Sequence, residues 1–171
     1  IVNSLASVLF LLAIAYLYAV FGTLNLAHLS QRVAEAGQSG FINVIAVLFL
    51  IVFSLKAALF LCFWLPGAYG APPPAVAALF AALLTKVGIY AILRLFTLVF
   101  YHQPGLTHQL LAVLAGLTML LGGLGAVAQW DIRNILAYNV IVGVGFIIGG
   151  LAVFTPDAVI GAIFYLLHDM L

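Results

Sequence analysis

The feature that most constrains this chain is a series of long apolar runs separated only by short polar or proline-rich segments. A helix that crosses the hydrocarbon core of a bilayer needs about 20 mostly apolar residues. Because these runs are continuous, they predict an all-α, polytopic transmembrane helix bundle with about six spanning helices. The predicted runs lie at about residues 1–21, 41–65, 75–101, 106–128, 132–154 and 157–171.

Composition and charge exclude several other classes of protein. Hydrophobic residues make up 67% of the 171 residues and charged residues only 5%, whereas soluble domains average about 45–50% and about 25%. The net charge of +1 offers no electrostatic footprint for nucleic acid. Cys62 is the single cysteine, which excludes an internal disulfide and a cysteine-based metal site. We therefore expect no cofactor and no bound metal.

The connections between the runs carry their own signals. We predict a short amphipathic helix at residues 28–36, and residues 66–74 cannot be helical throughout because they contain four prolines. Thr155 followed by Pro156 predicts a capped helix start. The chain has no initiator Met and its two ends lie within apolar runs. We therefore expect an internal segment of a longer protein.

Three ionisable side chains fall inside apolar runs, namely Lys56, Lys86 and His168. An ionisable group at membrane depth is costly, so each is a candidate functional residue. Neither lysine has an acid three or four residues away, so we predict that the charges at membrane depth are positive and unpaired. A buried lysine without a partner favours its neutral form. Such a lysine can take up and release protons, as a group on a proton path must. The acids all lie in loops or at the ends of runs, as Glu35, Asp131, Asp157 and Asp169.

Structural interpretations of these basic residues stay open at this point. Lys56 would snorkel to the interface only if its helix ended near Phe60, and Arg94 suits an interfacial position near the end of its run. His168 is either a relay group or a packing residue.

The remaining candidates have structural alternatives as well. Asp131 and Arg133 suit a solvated loop pair with an interfacial or structural role. Pro66 is a possible helix break near the lysines, whereas residues 72–74 suit a plain loop.

Residues 54–94 contain an ordered series of motifs that resembles the proton-conducting membrane subunits shared by respiratory complex I and Mrp-type antiporters. The segments QWDIRNILAYNVIVGVGF and IFYLLHDML also resemble that family. The motifs in order are Lys56, Trp64-Leu65-Pro66, Ala71-Pro72, Leu84, Lys86, Gly88, Tyr90 and Arg94.

The finer resemblance is to the D subunits of multisubunit Mrp sodium/proton antiporters, through FGTLNLAHLSQRVAEAG, WLPGAYGAPP, LLTKVGIY and FYLLHDM. Complex I relatives usually carry His at the position of Tyr69 and Ser-Ser at Asn139-Val140. Both departures favour the antiporter subunits.

The resemblance implies a 14-helix subunit with two inverted five-helix repeats, of which this chain would be about helices six to eleven. It implies a transporter subunit rather than an enzyme, in a bacterial cell membrane. Its partners would be the other antiporter subunits and membrane lipid, and its transported ions protons and sodium. The glutamate that pairs with Lys56 in the family would precede the chain, and the next key lysine would follow it.

We therefore expect protons to cross on a relay in which Lys56 switches its charge state, Lys86 passes the proton laterally and His168 continues the path. One alternative is a proton-pumping subunit of an NADH–quinone oxidoreductase or a membrane-bound hydrogenase. A second alternative is a passive membrane scaffold, which would require that Met can replace Lys56 and Lys86 without loss of transport.

Overall fold

The computed structural model describes residues 2–37, 40–102 and 104–170, with the side chain of Pro104 left out. All regular structure in these residues is α-helical. The helices are α1 (Val2–Phe21), α2 (Leu26–Ala36), α3 (Gly40–Ala57), α4 (Leu65–Gly70), α5 (Pro74–Leu98), α6 (Pro104–Val127), α7 (Ile132–Val153) and α8 (Pro156–His168).

Five of these helices are long and apolar enough to cross a membrane, and α8 is a shorter apolar helix. The predicted transmembrane helix bundle is thus confirmed. The start of α8 shows why the sequence signals worked. The Thr155 hydroxyl accepts the backbone N–H of Ala158 at 3.3 Å, and Pro156 takes the first helical position, where it loses no hydrogen bond.

The amphipathic helix predicted at residues 28–36 is confirmed as α2, which begins slightly earlier. The Asn25 side chain accepts the N–H of Ala27 at 3.0 Å, as an N-cap does. Leu29 and Val33 are buried on one face of α2. Arg32 donates to the backbone carbonyl of Phe21 at the end of α1, so this hydrogen bond connects α2 to α1.

The largest departure from the sequence prediction is the end of the second run. We predicted a continuous helix over residues 41–65, whereas α3 ends at Ala57 and the chain becomes irregular over residues 58–64 before α4. Hydropathy does not register this break because the irregular segment is as apolar as the helix before it. The expectation that residues 66–74 are not helical throughout is confirmed, since α4 ends at Gly70.

Helix α7 packs against α4, α5, α6 and α8, and its contact with α6 is especially close. A Cβ atom added at Gly122 would lie 2.8 Å from the Val142 side chain, and one at Gly145 would lie 2.6 Å from Met119 and 3.1 Å from the Ala115 carbonyl. Small residues let helix backbones approach in a membrane, where apolar burial does not drive association. Glycine therefore sets the α6–α7 distance.

Candidate functional site

The end of α3 is an irregular turn built from residues with unusual backbone conformations. Ala58 and Phe60 have φ values of 59° and 61°, in the left-handed region that side chains other than glycine rarely adopt. The N–H of Leu59 reaches back to the carbonyl of Ser54 at 2.9 Å. Such strain persists only where the surrounding structure holds it, and it is concentrated at functional sites.

Two side chains hold this turn, one from α6 and one from the end of the irregular segment itself. The Thr118 hydroxyl, near the middle of α6, accepts the backbone N–H of Phe60 at 2.7 Å. The Trp64 indole N–H donates to the Leu55 carbonyl at 3.0 Å, which satisfies an acceptor that the helix end leaves open. Because Thr118 lies mid-way along a spanning helix, the break lies at the depth of that helix's middle.

Lys56 lies in the last turn of α3, directly before the break. A cation is favoured there because the carbonyl end of a helix carries a partial negative charge. An interfacial position for Lys56 requires that its helix end near Phe60, and α3 does end before that residue. However, Phe60 contacts the middle of α6, which argues against an interfacial position. Among the described residues, Lys56 makes no ion pair within 4 Å.

Lys56 lines a cavity of about 610 Å³, which we call the Lys56 cavity. The cavity lies among α1, α3, α4 and α5, and its walls are mostly apolar, with Asn3 and Lys56 contributing polar side chains. A space of this size has room for several water molecules, and the side chains of Lys56 and Asn3 offer them polar partners. Other lining residues are Ala6, Phe53, Trp64, Ala68, Val87 and Gly88.

Lys86 lies near the middle of α5 and its side chain is only 2% exposed. Its Nζ atom donates to the Ala81 carbonyl at 2.8 Å and lies 2.7 Å from Oδ2 of Asp169. The second contact is an ion pair whose angles fall outside those of a hydrogen bond. Asp169 caps the end of α8, so the pair joins two helices.

The two lysine-bearing segments are pressed together at Gly88. A Cβ atom at Gly88 would lie 2.9 Å from the backbone nitrogen of Ala57, the residue after Lys56. Glycine is therefore needed for α5 to approach the end of α3. The lysine side chains diverge from this contact, since Lys56 lines the cavity and Lys86 contacts Ala81 and Asp169.

The prediction that the charges at membrane depth are unpaired is wrong for Lys86. Sequence spacing tests only partners on the same helix, and Asp169 reaches Lys86 from another helix. Asp169 does lie at the end of α8, as predicted, but it contacts a lysine near the middle of α5. It lies about 20 Å along α8 at 1.5 Å per residue, and an acid that follows such a length of apolar helix is the signal that sequence reasoning missed.

His168 is adjacent to Asp169 in the chain, and its exposed ring lies 6.0 Å from the Tyr165 ring. The structure does not bring it into contact with either lysine within the described residues. Pro66 lies in the first turn of α4, after the break rather than within it. Tyr69, also on α4, donates to the Phe80 carbonyl of α5 at 2.9 Å.

The other predicted positions are peripheral. Arg94 is exposed on α5. Asp131 caps α7 by accepting the backbone N–H of Arg133 at 3.2 Å, and both residues are exposed. The contact between these two residues is thus a helix cap. Among the described residues, no group of three or more His, Cys, Asp and Glu side chains is placed to hold a metal ion.

Comparison with known proteins gives consistent relatives. The chain is 54% identical over 172 residues to the D subunit of the Na⁺/H⁺ antiporter of Alkalihalophilus pseudofirmus, covering 100% of this chain and 35% of that protein. It is 54% identical over 170 residues to the protein of the same name from Bacillus subtilis, covering 99% of this chain and 34% of that protein. The chain thus spans about a third of the length of these relatives.

Solved structures share the fold. The Mrp complex from Dietzia sp. DQ12-45-1b matches with a TM-score of 0.90 and 38% identity, over 99% of this chain and 31% of that chain. The membrane-bound sulfane sulfur reductase, an archaeal respiratory membrane complex, matches with a TM-score of 0.91 and 30% identity, over 98% and 35%. The model for the transmembrane family of NADH:quinone oxidoreductases and Mrp antiporters matches residues 1–171. The chain therefore belongs to the NADH:quinone oxidoreductase/Mrp antiporter transmembrane family.

Proposed function

We propose that this chain is part of a membrane subunit of a multisubunit cation/proton antiporter, and that it carries a section of the proton path. The observation that carries the proposal is the placement of two lysines at the middle of the bundle. One lies at a helix break and lines a cavity, and the other is buried in an ion pair. A structural core has no need of such costly groups.

In this proposal Lys56 is the switching residue. It lies at the carbonyl end of α3, and the Lys56 cavity supplies space for the water through which a proton is exchanged. Lys86 is the next group along the membrane, reached across the close contact between Gly88 and Ala57. His168 would extend the path beyond α8, a role that its exposed ring allows.

The names of the two antiporter relatives support sodium as the exchanged cation. They also support a multi-pass location in the bacterial cell membrane and other antiporter subunits as partners. We assign no residue of this chain to cation binding, since among the described residues no group of three or more His, Cys, Asp and Glu side chains could hold a metal ion.

The test is antiport by the intact subunit in its complex, measured as sodium-dependent dissipation of a pH gradient in membrane vesicles. Lys56→Ala should abolish antiport without lowering the amount of subunit in the membrane, since removal of a costly charge does not impair insertion. Lys56→Arg should fail as well, because guanidinium does not release its proton. The matched control is Arg133→Gln, an exposed basic position that should transport normally.

Two outcomes would overturn the proposal. Normal antiport by Lys56→Arg would show that deprotonation of Lys56 is not part of the mechanism. Normal antiport by both Lys56→Met and Lys86→Met would favour a passive scaffold instead.

A second candidate function is a proton-pumping subunit of a redox-driven complex, which the likeness to an archaeal respiratory membrane complex supports. The Lys56 cavity and the buried ion pair would serve such a pump equally well. Purification of the intact complex distinguishes the two functions. Co-purifying flavin or iron–sulfur subunits would favour the pump, and their absence from an active complex would favour the antiporter.

A further inference from the structure

The ion pair between Lys86 and Asp169 has features that a purely structural pair does not need. Its partners come from α5 and α8, and both helices pack against α7. The Lys86 side chain is 2% exposed and that of Asp169 is 23% exposed. The Asp169 side chain is therefore partly accessible from outside the bundle, whereas the Lys86 side chain is buried.

The Asp169 carboxylate packs against a glycine on α7. A Cβ atom added at Gly143 would lie 3.1 Å from Oδ2 and 3.3 Å from Oδ1 of Asp169. Any larger residue at Gly143 would press on the carboxylate that faces Lys86. Glycine at this position therefore leaves room for the carboxylate and for its rotation.

We propose that Asp169 is the proton-exchanging counter-ion of Lys86. This inference rests on the proposed function and adds to it a residue and a step. The Oδ2 atom lies 2.7 Å from Nζ, close enough for direct proton transfer once a small rotation aligns the carboxyl group.

The step conserves protons and charge. Asp169, the more exposed partner, takes a proton from the path and becomes a neutral acid. Lys86 has then lost its counter-charge in a buried site and releases its proton to the next group. The neutral acid finally transfers its O–H proton to the neutral amine, which restores the ion pair, and one proton has moved forward.

Within the part of the chain that the structure describes, the groups around Asp169 come from three helices. Lys86 is the charged group from α5 and Gly143 is the contact from α7. On α8 itself, the nearest titratable residues along the chain are His168 and Tyr165. Within the described residues, no second acid lies within 4 Å of the Lys86 Nζ atom. Changes at Asp169 or Gly143 should therefore act on the pH dependence of transport through Lys86.

The experiment uses the intact subunit in its complex, with proton-coupled sodium transport measured in vesicles over a range of external pH. Asp169→Asn keeps the shape of the side chain but cannot exchange a proton. Its transport per subunit should fall by about a hundredfold or more, the lower end of the contribution of a positioned proton-transfer group. Asp169→Glu should retain measurable transport with a shifted pH profile.

A milder variant covers the case in which Asp169→Asn fails to accumulate. Gly143→Ala leaves both ionisable residues in place and displaces the carboxylate by a few tenths of an ångström. It should lower transport several-fold and shift the pH profile. The matched control is Gly149→Ala on the same helix, where the added Cβ would lie 3.6 Å from Met119 and should change nothing.

The outcomes separate this inference from the proposed function. Normal transport by Asp169→Asn at normal subunit levels, with Lys86→Met inactive, would overturn only the role of Asp169. A Gly143→Ala variant with an unchanged pH profile would also overturn it. Normal transport by Lys86→Met would overturn the relay through Lys86 itself.

Discussion

Between α6 and α7 the backbones approach closely because glycine occupies the contact positions, and both helices run without interruption. Around the end of α3 the packing is of another kind. There the helix breaks, two residues adopt left-handed conformations, and a cavity of about 610 Å³ lies next to a lysine. Both regions are apolar in sequence. They differ in where the backbone N–H and C=O groups find their hydrogen-bond partners, which are within the helix in α6 and α7 and partly on the side chains of Thr118 and Trp64 at the break.

On the proposed function, this contrast separates a supporting region, the α6–α7 contact, from a working region, the end of α3 with the Lys56 cavity. The α6–α7 pair has few alternatives to its present packing, since glycine leaves no side chain to rearrange. The break places Lys56 beside a cavity, where its surroundings can change. Substitutions in the first region should alter how much subunit is present, and substitutions in the second should alter transport per subunit.

The largest expected effect is on the supporting region. In Gly145→Val the new side chain would overlap Met119 and the Ala115 carbonyl, which overpacks the contact and costs about 1–3 kcal/mol or more. The subunit should fall to a small fraction of its normal level, measured by immunoblot of membranes. Gly123→Ala on α6, where the added Cβ meets no atom within 4 Å, is the control. Normal accumulation of Gly145→Val would remove the proposed support role.

Thr118 connects the two regions, because it lies on α6 and its hydroxyl accepts the Phe60 N–H in the break. Thr118→Val leaves that N–H without its acceptor, at a cost of about 1–3 kcal/mol. We expect antiport per subunit to fall more strongly than subunit level. Thr118→Ser keeps the hydroxyl and should stay near normal. Equal loss of level and activity in Thr118→Val would mean that the break is only structural.

His168 tests how far the working region extends. Histidine exchanges protons near neutral pH. If His168 is a relay group, His168→Gln and His168→Ala should therefore lower antiport to a similar degree. A packing role predicts instead that Gln is tolerated and that Ala lowers assembly. Vesicle antiport and subunit level are measured for both variants. Near-normal antiport by His168→Gln at normal level would leave the lysines and Asp169 as the path.

The smallest expected effect is at Arg94, which is exposed on α5 and away from both regions. Arg94→Gln should change stability by less than about 0.5 kcal/mol, as surface substitutions usually do. Antiport and thermal stability of the purified complex should both remain near normal. A strong loss of antiport would extend the working region along α5 beyond Lys86.

Local signals in the sequence predicted local structure well. The apolar runs predicted the helices because lipid leaves backbone groups no partner outside the helix. Thr155 and Pro156 predicted the start of α8, since capping involves only neighbouring residues. Lys56 and Lys86 stood out because a charge inside an apolar run is costly wherever the helix packs.

What only the tertiary structure decided depends on residues far apart in the chain. The sequence offered Pro66 as a possible helix break, yet the helix ends at Ala57. Just after that end, the N–H of Phe60 finds its acceptor on Thr118, 58 residues away in the chain. In the same way Lys86 finds Asp169 on another helix. Hydropathy and spacing describe each helix alone, whereas hydrogen bonds and ion pairs between helices depend on how the helices pack. The sequence by itself therefore determined which segments are apolar helices and which charges lie within them. Only the tertiary structure decided where α3 ends and which acid pairs with Lys86.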